Sequence, residues 1–139
     1  MTLAANIAAL PNGDDAPLFG CRAWVNFDGT STESTLNETN GGGRKSGNVT
    51  SVTNHTTGQF TITFTESMPH QNYVIAGILS NTVDDWSTAN SSIRVAGMQQ
   101  YYATRPSISS VRIDTMAGAS GSGNATLVDF KQVTVAIFC

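Results

Sequence analysis

Three features of the 139-residue sequence predict an all-β fold: an antiparallel β-sandwich (jelly-roll-like) or a small barrel, preceded by a short N-terminal leader. Residues 59–65 alternate strictly, with Phe60, Ile62 and Phe64 on one side and Thr61, Thr63 and Thr65 on the other. A period of two sends each set to its own face of a strand. Similar short runs recur along the chain between turns rich in Gly, Ser and Asn, the pattern of sandwiches and barrels. The leader is the longest stretch with helical periodicity.

Residues 1–19 form this leader, and residues 20–139 a single domain of a size that can bury a real core. Leu3, Ile7 and Leu10 fall at helical spacing, but the stretch is too short to hold alone in water. It either packs on its own domain, stays disordered or docks on a partner. In residues 22–27 (RAWVNF), Ala23, Val25 and Phe27 share one face, and Arg22, Trp24 and Asn26 the other. Large groups on both faces predict a strand covered on both sides. Residues 28–46 are polar and contain a triple glycine, so a long surface loop or weak exposed hairpin is expected.

Residues 47–79 carry the strongest signal. Val49 and Val52 mark a strand, 54–58 a turn, 59–65 the alternating strand, and 73–79 a more continuously apolar one. Met68-Pro69 stops the ladder, because proline has no N–H to donate. Together these segments predict a three-stranded meander. Beyond a polar loop at 80–90, Ile93 and Val95 suggest a strand, and residues 107–114 alternate again. Residues 117–124 (AGASGSGN) read as a flexible turn, and 127–138 close the domain with Val128, Phe130, Val133, Val135 and Ile137.

Only 12% of residues are charged, roughly half the usual share. A formal charge of −3 supplies no basic footprint for nucleic acid. No stretch is long and apolar enough for membrane insertion, and residues 1–10 do not resemble a secretory signal. Cys21 and Cys139 are too few for a disulfide scaffold and are expected as reduced thiols. His55 and His70 lack metal-ligand spacing and read as solvated turn residues; no local context supports a Cys–His catalytic pair. Asp14-Asp15 and Asp84-Asp85 suit turns better than calcium, so no metal or cofactor is expected. The ten acids are dispersed, which argues against the paired carboxylates of a carbohydrate-active hydrolase. Residues 41–46 lack the glycine and lysine spacing of a phosphate loop. Trp86, Tyr101 and Tyr102 lie in or beside polar loops, where aromatics stack on sugars or anchor interfaces; core packing is the alternative for the tyrosines.

Residues 21–29 (CRAWVNFDG), 46–52 (SGNVTSV), 57–65 (TGQFTITFT), Met68-Pro69 and Asn72-Tyr73 together resemble a module of tailed-bacteriophage virion proteins, commonly tail fibres. The match runs from about residue 20 to the end. The resemblance implies a non-enzymatic structural protein in the virion, assembled in the host cytoplasm. It also implies a homotrimer that meets other virion proteins and attaches to a host-surface glycan or protein. Capsid decoration is the second reading, and a small hydrolase a remote third. The candidate host-contact residues are Asp84, Asp85, Trp86, Tyr101, Tyr102 and Arg44, on tips around 37–44, 84–86 and 120–123.

Overall fold

A computed structural model describes residues 20–39, 42–80, 95–100, 106–118 and 125–139. It is a β-sandwich of two antiparallel sheets. In chain order the strands are β1 (Cys21–Phe27), β2 (Thr35–Leu36), β3 (Gly43–Gly47), β4 (Val49–Thr56), β5 (Gln59–Phe64), β6 (Val74–Ser80), β7 (Val95–Gln100), β8 (Ser110–Gly118), β9 (Ala125–Leu127) and β10 (Gln132–Phe138). Sheet A has the order β3-β1-β10-β6, and sheet B the order β2-β4-β5-β8-β7. The short β9 lies beside the far half of β8, on the edge that β5 occupies at the near half.

Period-two patterning builds the core. Ala23, Val25 and Phe27 of β1 and Val133, Val135 and Ile137 of β10 point inward from sheet A. They meet Val52 of β4, Phe60, Ile62 and Phe64 of β5, and Val111 and Ile113 of β8. Phe27 and Phe60 touch edge to face across the sheets, with ring centroids 5.0 Å apart, an arrangement that sets the positive rim of one ring on the negative face of the other.

The predicted meander is corrected at its third strand. β4 and β5 form the expected hairpin, but β6 pairs with β10 in the opposite sheet. The chain changes layer at Met68, which is buried and whose N–H donates to Ile108 O at 2.7 Å. Tyr73 completes the corner, its hydroxyl proton shared between Ser107 O at 3.1 Å and Ser110 O at 3.2 Å. Residues 28–46 also differ from expectation. β2 joins the edge of sheet B and β3 the edge of sheet A, so the segment bridges the layers. One apolar residue, Leu36, is enough to anchor it by burying completely. Asp28 and Asn37 organise the turns, each accepting from the N–H and hydroxyl of the threonine two residues on. β1 differs too: its outer face is largely open, with Trp24 43% exposed and Asn26 half-buried.

The β3–β4 corner turns at Asn48, whose φ of 55° is the left-handed conformation that asparagine tolerates. Its Nδ2 donates to Arg22 O at 3.0 Å and Glu66 O at 3.1 Å, while Glu66 N donates to its Oδ1 at 2.7 Å. One side chain thus ties β1, the end of β5 and the corner together. Asn48→Gly keeps the backbone and loses the bonds, and is expected to cost about 1–2 kcal/mol in urea unfolding. Asn48→Ala should add about 1 kcal/mol for the left-handed turn. If the alanine variant unfolds at the wild-type midpoint, the staple contributes nothing.

Candidate functional site

The two outer faces of the sandwich differ sharply in chemistry. On sheet B the register sets Thr35, Thr53, Thr61 and Arg112 in one row, and Ser51, Thr63 and Ser110 in the next. Arg112 donates to Gln59 Oε1 at 2.9 Å, and His55 Nε2 lies 2.9 Å from Thr61 Oγ1. Hydroxyls, amides and one guanidinium keep this face wet. His55 sits in β4, not in the turn expected for it. Partial burial, and then the positive charge of Arg112, hold its pKa below the ordinary histidine value. An open polar cleft of about 480 Å³ adjoins this region, with Glu33, His55 and Asp129 on its wall. Asp129 is already engaged there, because its Oδ1 accepts the Gly58 N–H at 2.6 Å.

Sheet A presents the opposite character. The register aligns Trp24, Ala136 and Ala76 across β1, β10 and β6, with Asn26, Thr134 and Ile78 in the adjacent row and Phe138 beside Val74. Val74 is 64% exposed and Ile78 73%. The apolar side chains gather toward β6, while Lys45 lies at the far β3 edge, paired with Glu38 at 3.4 Å. The Trp24 ring covers Gly47, where any Cβ would collide with it. At the end of this face is an apolar recess of about 320 Å³ lined by His70, Asn72, Val74, Phe138 and Cys139.

The recess brings His70 and Cys139 together across 69 residues of sequence. The sulfur is 3.6 Å from Nδ1 and 3.7 Å from Nε2, so it approaches both ring nitrogens about equally and is aimed at neither. That is a sulfur–aromatic contact, not the in-line hydrogen bond of a nucleophile and its base. Both cysteines are free thiols. No group of three or more His, Cys, Asp or Glu that could hold a metal occurs among the described residues.

No protein-family model, curated protein or solved structure matches the chain.

Of the residues singled out from sequence, Asp84, Asp85, Trp86, Tyr101 and Tyr102 lie outside the described residues, as do Asp14, Asp15 and the tip at 120–123. Arg44 has its backbone in β3, opposite β1, and its side chain lies outside the description. Sequence reading missed the sheet A face. Its signal was present in Trp24 opposite the inward Ala23 and Val25, and in the apolar run of residues 74–79.

Beside the recess, Tyr73 has its pKa pushed up to about 12, first by burial and then by the electrostatic effect of neighbouring Cys139. The unfolded chain releases this proton near 10, the ordinary value for tyrosine. The folded state therefore holds the proton more tightly, and the stability this confers is complete below pH 10 and lost as pH rises through 12. The urea midpoint should fall across that window. Tyr73→Phe should shallow the fall, and an equal slope in both proteins would contradict the assignment.

Proposed function

We propose that the chain is a structural module of a tailed-bacteriophage virion, in a tail fibre or tail tip, that holds polar loops toward the host surface. The observation that carries this reading is where the motif residues stand. Trp24 covers Gly47, Asn48 staples three segments, Met68 and Tyr73 build the layer-crossing corner, and Gly58 fits against Thr115 and Val128. The motif thus specifies a scaffold, as expected where a framework recurs and its loops diverge. Contacts of modest strength from several copies then add by multivalency, without a deep cleft in any one of them.

The test is location and copy number on purified particles, by immunogold labelling and quantitative mass spectrometry. A few copies at the tail support the proposal. Many copies spread over the head would replace it with capsid decoration, and absence from particles would overturn it.

A further inference from the structure

We infer that the outer face of sheet A is a contact surface for another copy of this chain. The inference does not depend on where the protein sits in a virion. A sheet face made of Trp24, Val74, Ala76, Ile78, Ala136 and Phe138 calls for a further layer, because domains bury apolar sheet faces against one another. Scattered exposed hydrophobics are ordinary, but a contiguous group on one flat face marks an interface. Among the described residues, β6 is also an edge strand of sheet A. It carries no charge, no proline and no register break against β10, the devices that normally blunt such edges.

Two arguments select a second copy as the occupant. The first is area. Four strands about 4.8 Å apart and about seven residues long present roughly 450 Å² in plan. Side-chain relief and the rims carry the accessible area toward the roughly 800 Å² per partner of a standard interface. The second is complementarity. Sheet B offers Thr, Ser, Gln and Arg on its outer side, so the described surface that matches an apolar sheet face is the same face on another molecule. Identical twist lets two such faces stack about 10 Å apart. The same faces can instead converge on a three-fold axis.

The experiment is sedimentation velocity of the full chain across a concentration series, with Ile78→Lys, Val74→Lys and, on the opposite face, Thr63→Lys. Both sheet A positions are well exposed in the single chain, so lysine there leaves the fold intact, and circular dichroism verifies this. The wild type should sediment as two or three chains. Each sheet A variant should weaken association about 100-fold or more, and Thr63→Lys should leave it unchanged. In a Trp86→Phe background, acrylamide should quench Trp24 weakly in the oligomer and strongly in the Ile78→Lys monomer. Three results would overturn the inference: a wild type that is monomeric throughout, an oligomer indifferent to both lysines, or a monomer with Trp24 shielded, which means that another segment of its own chain covers the face.

Discussion

Gly58→Ala is expected to destabilise the protein by about 4 kcal/mol or more, a large part of the roughly 5–15 kcal/mol that holds a domain folded. Two effects combine at this residue. Its φ is +69°, where an L side chain pays about 1–2 kcal/mol. A Cβ there would also stand 2.6 Å from Thr115 O and 2.9 Å from Val128 N. Both are backbone atoms, and both are committed. Thr115 N donates to Gly58 O at 2.7 Å, Val128 N donates to Thr115 O at 3.0 Å, and Thr115 Oγ1 donates to Val128 O at 2.7 Å. Room for a methyl group can come only from opening this junction between the β4–β5 turn and the segment after β9. Asp129→Ala, which removes only the acceptor of the Gly58 N–H, should cost about 1–3 kcal/mol. Equilibrium unfolding in urea measures both. A Gly58→Ala protein within 1 kcal/mol of wild type would show the junction to be loose.

Phe60→Ala should cost about 3–5 kcal/mol, the range for emptying a fully buried aromatic site. Phe60 sits near the start of β5, with β4 and β8 on its flanks and Phe27 across the core, so its neighbours cannot collapse into the space without moving both sheets. Thr63→Ala, on the other face of the same strand, should change stability by about 0.5 kcal/mol or less. A double-mutant cycle of Phe27→Leu with Phe60→Leu should leave a coupling of about 0.5–1.5 kcal/mol for the edge-to-face contact. Equal losses at Phe60 and Thr63 would refute the inward and outward assignment of β5.

That assignment was legible from the residues alone. The alternation in β5 and β10 named the inward side chains correctly, because period two is a local property and burial follows it. The sheet to which a strand belongs is not local. Residues 73–79 have the same apolar run whether they lie beside β5 or β10. The choice rests on Met68 and Tyr73 finding partners at Ile108, Ser107 and Ser110, more than thirty positions away. Composition misled in residues 28–46, where counting apolar residues gave one leucine too little weight. Leu36 fills a slot beneath β2, and side-chain and backbone hydrogen bonds do the remaining ordering. The His70–Cys139 contact arises from pairing between distant strands, so no window of sequence displays it. The aromatic loop candidates Trp86, Tyr101 and Tyr102 fall outside the described residues.

The pairing of β1 with β10 has a mechanical consequence. Cys21 lies opposite Phe138, and Cys139 N donates to Gly20 O at 3.5 Å, so the two strands begin and end at the same pole of the sandwich. Tension applied between Gly20 and Cys139 would load this antiparallel ladder one rung at a time, like opening a zip, instead of straining all its rungs together in shear. A module pulled by both ends would yield at low force. Held by one end and gripped through its far loops or its sheet faces, the same sandwich transmits load across its whole body.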